Sequence, residues 1–397
     1  MQRVLPLLLA CICLAWNASA QIKQTPSRIL DWPYLYDTSV ILDLEFTMDP
    51  GDWSTVQNDT SFSIEVPAWL SAPGETPILV SMRRKSSDAL KNGTNFAKVG
   101  LKIDINEYVT GQEWHGVKKL SLENGDDENV LTEGFAWAIH QLAYSPSGYS
   151  TDPGFANWAR VKINGTPIGL YLNVEQRDKQ YLKNRGLWTS NQTWLYKLGD
   201  IYSDELKHGS SGGSPTHAFL CYDPFQSPNR GCSTPDLATF EADLLQRVDM
   251  QQMLTMGAVN AFLAHGDSLF SKGKNIYFVD FLIGKRRAYL PWDLDSVLNQ
   301  TQFDIFNPGA HYADHVLAVP SFRDAYKQIM TQLLDGPMHT SRMHAFLDRM
   351  EPILTSALAA DPNNRIGDAA AIAAEFQSLR DWVVQRDAVV RQQIAND

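Results

Sequence analysis

Cysteine is scarce, with four residues in 397, and Cys11 and Cys13 fall within the first twenty. That count excludes a disulfide-dense small scaffold and a multi-cysteine zinc module. The other two, Cys221 and Cys232, lie in a Pro/Gly/Ser-rich stretch, where a single loop-closing disulfide is expected in an oxidising compartment. Basic charge is short as well: 34 Lys and Arg stand against 45 Asp and Glu, a net charge of −11. Such a chain has no basic field to follow a phosphate backbone, so no nucleic-acid partner is expected. Long apolar runs are missing too. Val4–Trp16 is too short to cross a bilayer and Arg391–Asp397 is polar, so no membrane span or lipid anchor is expected. What is present is a 44% apolar composition on a chain long enough for two or three packed units.

Residues 1–20 have the form of a secretory signal peptide. Arg3 precedes the apolar run, and Ala18-Ser19-Ala20 offers small residues for cleavage before Gln21. Secretion gives meaning to the Asn-x-Thr acceptors at Asn58, Asn92, Asn164, Asn191 and Asn299. The expected product is a secreted, extracellular glycoprotein with a short N-terminal extension at residues 21–37.

Period-two alternation dominates the first half. Val40, Leu42, Leu44 and Phe46 alternate with polar residues, Phe62, Ile64 and Val66 repeat the pattern, and Ile78–Met82 follows a Pro/Gly turn. Val99, Leu101, Ile103 and Ile105 make another strand, and Gly116–Leu122 a fifth. Leu131, Phe135, Ala138 and Leu142 then recur at helical spacing behind Asn129, a residue suited to capping. Asn164-Gly165 between Trp158–Ile163 and Pro167–Val174 is a hairpin-turn signal. Residues 199–235 read as a loop insert. Helical periods follow at Leu237–Arg247, Met250–Leu263, about 321–358 and 367–394, broken by strand-like Asn275–Phe281 and Arg287–Leu290. The expected fold is α+β: a sheet-rich N-lobe over residues 38–178 and a mainly helical C-lobe over 179–397.

Pro291-Trp292-Asp293-Leu294-Asp295 places two carboxylates at the end of an apolar strand. Hard cations such as Mg²⁺ and Mn²⁺ take one or two such ligands and complete their shell with water and phosphate oxygens; the plain alternative is a turn capped by aspartates. Upstream, Asp267 ends a helical segment and Asn275 opens a strand. An aspartate to accept a hydroxyl proton, an amide oxygen and a later aspartate for one cation are parts of a phosphotransferase. Such an enzyme also needs a strand lysine on the phosphates, steadied by a helical glutamate. Lys102, Lys118 and Lys119 are the candidates, with Glu133 on the next helix, although Glu133 sits about 200° around that helix from Leu131 and suits solvent equally. The apolar strand ending in Val174-Glu175-Gln176 has the character of a segment against which a nucleotide base can lie.

These blocks resemble the spore-coat protein H (CotH) kinase family. The resemblance is carried by Leu170–Lys183, Leu195-Tyr196-Lys197, Asp267, Asn275 and Pro291–Asp295, and extends upstream through Leu101–Ile105 and Gly116–Asn124. It implies a divergent, bilobal protein-kinase-like fold that transfers the ATP γ-phosphate to serines of coat or surface proteins. By position, Asp267 corresponds to the catalytic aspartate, Asn275 and Asp293 to metal ligands, and Asp295 to an adjacent carboxylate. It implies ATP with Mg²⁺ or Mn²⁺ as cofactors and a secreted or surface protein as substrate. Where family members carry a glycine-containing phosphate loop, this chain has Arg83-Arg84-Lys85-Ser86-Ser87, so basic side chains are expected to stand in for backbone contacts. Fungal relatives also act as invasins, so a non-catalytic adhesion protein on the same scaffold is the alternative.

Overall fold

The structure is a computed structural model that describes residues 35–85, 98–126, 129–144, 153–200, 203–210, 213–214, 237–309 and 311–397. The expected signal peptide, Asn92 and the Cys221–Cys232 disulfide lie outside the described residues.

Seven strands close into a barrel: β1 (Leu42–Thr47), β2 (Val66–Ser71), β3 (Ile78–Arg84), β4 (Leu101–Asp104), β5 (Lys119–Glu123), β6 (Ala156–Ile163) and β7 (Thr166–Val174). Their order is β1-β2-β3-β4-β5-β7-β6, and the ring is completed by parallel pairing of β1 with β6. Alternation along each strand sends Leu44, Phe46, Val80, Met82, Leu101, Ile103, Leu120 and Leu122 to the interior. The β6–β7 hairpin turns at Asn164-Gly165, both with positive φ (51° and 80°), as a tight two-residue turn requires. A short helix α1 (Pro50–Asn58), capped by Asp49, lies between β1 and β2.

The second strand is shorter than its pattern. Residues 62–64 are not in β2: Phe62 has φ 56° and Ile64 is 44% exposed. The Asp59 carboxylate collects the N–H groups of Ser61, Ser63 and Ile64 at 2.8–3.0 Å, which bends the chain into a turn before pairing begins.

Helix α2 (Val130–Tyr144) follows β5. Asn129 caps it, its Oδ1 accepting from the N–H groups of Leu131 and Thr132 at 3.1 and 2.9 Å. Thirteen of its fifteen residues are buried, Glu133 included, so this helix has no solvent face. It is wedged between the outer faces of β6 and β7 and the C-terminal helices. Those two strands are apolar on both sides: Ala159, Val161 and Tyr171 belong to the barrel core, Trp158, Leu170 and Leu172 to a second, larger core.

The second core is built from α3 (Lys179–Asn184), α4 (Leu237–Arg247), α5 (Met250–Phe262), α6 (His311–Ala318), α7 (Pro320–Asp335), α8 (Thr340–Ala359) and α9 (Ala369–Asn396), around a sheet of β8 (Thr193–Asp200), β9 (Ser203–His208), β10 (Ile276–Phe281) and β11 (Ala288–Pro291). The sheet order is β11-β10-β8-β9. β9 falls inside the stretch read as a loop insert, because its alternation of charged and polar residues carries no hydrophobic signal. The loop after α8 returns to the barrel, where Asp361 pairs with buried Lys98 at 3.1 Å and accepts the Leu170 N–H at 2.9 Å. The architecture is thus mixed α+β with sheet-rich and helical parts. A closed seven-stranded barrel differs from the open sheet of an ordinary kinase lobe.

Candidate active site

Between the barrel and the second sheet lies a cleft of about 590 Å³. Antiparallel register sets its floor. Ile276 of β10 pairs with Pro291 of β11, and just beyond that pair the Trp292 N–H donates to the Asn275 carbonyl at 3.1 Å. Asn275 and the next residue of the partner strand, Asp293, both take left-handed backbone (φ 56° and 59°), which Asn and Asp tolerate better than other side chains. Both line the cleft.

The end of α5 is stitched to the same place. Ala264 turns with φ 53°, the Gly266 N–H donates to the Ser296 carbonyl at 3.0 Å, and the Leu298 N–H donates to the Leu263 carbonyl at 2.8 Å. The Asp267 loop and the Asp293 loop therefore run side by side. Between them, Lys274 lies 2.7 Å from Asp267 and is held above the ordinary lysine range: burial opposes this, but Asp267, with Asp295 and Asp293 beyond it, outweighs burial. Asp267 also binds Lys272 at 2.5 Å; burial raises its pKa, but the two lysines bring it below the ordinary value. His265 is fully buried, and burial depresses it to about 4, so it is neutral at pH 7.

The walls are basic. Arg83, Lys85, Lys102 and Lys119 come from the barrel, Lys197 and Lys207 from β8 and β9, and Lys274 and Arg177 from the adjoining loops. Eight basic side chains meet four acidic ones, Glu123, Asp126, Asp178 and Asp293, in a protein whose net charge is −11. Lys85 follows β3 and pairs closely with Glu123 of β5. Burial works against its charge, but Glu123, Asp293 and Glu133 raise its pKa. Asp293 is raised by burial, with Lys85 opposing and Glu123 adding to it. Glu133 is raised well above the carboxylate range, by burial first and then by Glu123, Asp295 and Asp293.

Of the residues selected from sequence, Lys102, Lys119, Asn275 and Asp293 line the cleft. Asp267 does not line it but reaches it through Lys274. Asp295 sits behind Asp293, and its charge acts on Lys274 and Glu133. Lys118 turns away to Glu113 at 3.8 Å. Glu175 is buried and holds Arg185 through two contacts of 2.8 Å, which removes its carboxylate from any ligand; its neighbours Gln176, Arg177 and Asp178 line the cleft instead. The lysine acting on Glu133 is Lys85, not one of the three candidates. Sequence reading missed the Lys85–Glu123 pair, Lys197 and Lys274. Their signals were faint: Lys85 ends an alternating strand, Lys197 belongs to the Leu-Tyr-Lys block, and Lys274 precedes Asn275.

Among the described residues, no group of three or more His, Cys, Asp or Glu is arranged to hold a metal. Asp293 and Asn275 offer a carboxylate and an amide oxygen on one wall, a sparse donor set that fits a hard cation bringing phosphate oxygens and water of its own.

The cleft thus combines basic walls with an oxygen-donor floor. Residues 92–390 match the CotH kinase protein family, and the chain belongs to that family. No curated protein matches the chain. The family gives a kinase-like function in the coarse sense, and among the described residues no helix is long and apolar enough to cross a membrane.

Proposed function

We propose that this chain is a secreted, Mg²⁺- or Mn²⁺-dependent protein kinase that transfers the ATP γ-phosphate to Ser or Thr of extracellular or surface proteins. The observation that carries this reading is the concentration of basic side chains around Asp293 and Asn275 in an otherwise acidic protein. Lys85, fixed by Glu123, is placed to hold phosphate oxygens, and Lys197 and Lys274 add charge beside it. Asp293 and Asn275 would hold the cation. A bound Mg²⁺ or Mn²⁺ supplies charge neutralisation at the transferred phosphoryl group. The raised pKa of Asp293 comes from desolvation, with Glu123 adding to it and Lys85, Lys197 and Lys274 opposing it, and a bound cation would favour its ionised form further.

In this reading Asp267 orients the acceptor hydroxyl, a role that requires the hydroxyl to displace Lys272 or Lys274 from its carboxylate. Its low pKa makes it a hydrogen-bond acceptor rather than a strong base, which suffices where bond breaking to the leaving group runs ahead of attack. Secretion is supported by the form of residues 1–20 and by Asn58, Asn164, Asn191 and Asn299, all exposed as glycan acceptors must be.

The test is transfer of label from γ-labelled ATP, with Mn²⁺, to a serine-rich protein acceptor. Lys85→Met and Asp293→Asn should each reduce transfer by about 10²-fold or more. Transfer unchanged in both variants contradicts the proposal, and no transfer by the unmodified chain favours the adhesion alternative.

A further inference from the structure

Asp267 meets two ammonium groups of unequal standing. Lys274, 2.7 Å away, lines the cleft, and Asp295 and Asp293 act on its charge as well as Asp267, so other acids hold it in place. Lys272, 2.5 Å away, does not line the cleft, and among the described residues Asp267 is the only acid it pairs with. Its side chain is 61% exposed against 30% for Lys274, whereas the carboxylate between them is 16% exposed. The loop is built to return Lys272 to that carboxylate. The N–H groups of Lys272 and Gly273 both donate to the Ser268 carbonyl, at 3.0 and 2.9 Å, and Gly273 turns with φ 68°, which glycine holds without strain. The Ser271 hydroxyl ties the same turn down, donating to the His265 carbonyl at 2.8 Å and accepting from the Ser268 N–H at 2.7 Å. Lys272 thus covers Asp267 from the solvent side, and Lys274 from the cleft side.

An ion pair to so exposed an ammonium is weak, and such a cover can be lifted. A protein acceptor is suited to lift it, because contacts made elsewhere along its chain hold its hydroxyl at the carboxylate. Water makes no remote contacts and has to displace the ammonium on its own. We propose that Lys272 is a specificity-determining cap on Asp267, which holds the carboxylate against water and yields it to the hydroxyl of a bound acceptor protein. In either reaction the bond from the γ-phosphorus to the oxygen bridging it to the β-phosphate breaks and ADP leaves. A bond forms from phosphorus to the hydroxyl or water oxygen, whose proton passes to solvent. The cap decides only which oxygen is oriented. That role rests on the kinase reading; the cap itself rests on the ion pair and on the turn that supplies it.

Two measurements on the full chain separate the contact from its role. Amine acetylation followed residue by residue by mass spectrometry reads the contact. Lys272 should acetylate roughly twofold faster or more in Asp267→Asn than in the unmodified chain, while exposed Lys285 keeps one rate in both. The role is read with γ-labelled ATP and Mn²⁺, by comparing phosphate released to water without acceptor and phosphate transferred to a serine-rich protein. Lys272→Met should raise hydrolysis relative to transfer by about two- to fivefold, the range an exposed pair supports, and Lys272→Arg should keep the original ratio. Added salt should shrink the difference between Lys272→Met and the unmodified chain, because it screens the pair in the latter. A ratio unchanged in Lys272→Met, or raised equally in Lys272→Arg, overturns the proposal. Normal transfer with Lys272 acetylated at equal rates in both chains removes the cap and leaves the kinase reading standing. A chain that shields Lys272 but neither transfers nor hydrolyses removes the kinase reading, and the acceptor role with it.

Discussion

Lys102 is a residue at which the molecule sacrifices stability. An unfolded lysine titrates near 10.5 and this one near 8, so between those values the unfolded chain binds more protons and stability rises with pH. Below pH 8 the whole penalty of holding the charge is present. Lys102→Met should therefore raise the urea midpoint at pH 7, and the gain should shrink steadily as pH climbs from 8 towards 10.5. A gain that is constant across that window contradicts the assignment. Asn275 before β10 and Asp293 after β11 were selected as an ordered set with Asp267, through the family resemblance rather than by residue type alone, and both line the cleft. Lys85 was visible only as one of the basic residues of Arg83–Ser87; its pairing with Glu123 was not, since that partner lies 38 positions away and only barrel pairing brings them together. Glu175 misled for the opposite reason: a carboxylate at a strand end looks available until Arg185 is seen to occupy it.

At the scale of elements, local chemistry specified much of the fold. The Asn129 cap, the Asn164-Gly165 turn and the helical stripes after Asp236 each follow from short-range rules, and each is present. Glu133 shows the limit of helical-wheel reasoning. Gly134, its neighbour, lets the Trp158 ring come within 2.3 Å of where a Cβ would stand, and Trp158 is fixed by its indole N–H to the Val130 carbonyl at 2.9 Å. Glu133 itself, which suited solvent as well as a cleft, is buried and accepts from the Trp137 indole N–H at 3.4 Å. Gly134→Ala gains roughly 1 kcal/mol of helix propensity but forces the indole to move, an overpacking cost of about 1–3 kcal/mol. The expected outcome is a lower midpoint in chemical denaturation; an increase would show that α2 and β6 pack more loosely than the structure has them. β9 escaped notice because an edge strand of charged residues is, by period and composition, indistinguishable from a loop.

For the whole molecule, closure of the barrel is what sequence could not reveal. It depends on β1 meeting β6 in parallel more than a hundred residues away, a pairing that leaves no local trace. Closure also makes β6 and β7 common walls of two cores, so the barrel and the helical part bear on one another and the cleft between them has a built shape. The two-part organisation itself was legible, because the hydrophobic period changes from two to that of a helix along the chain.

Calorimetric titration of ATP into the full chain, with and without Mn²⁺, reads out whether this cleft receives a nucleotide phosphate through a cation on Asp293. Saturable binding that strengthens with Mn²⁺ is expected, with that Mn²⁺-dependent gain lost in Asp293→Asn. Binding that is absent, or equally strong in Asp293→Asn at every Mn²⁺ concentration, would contradict it.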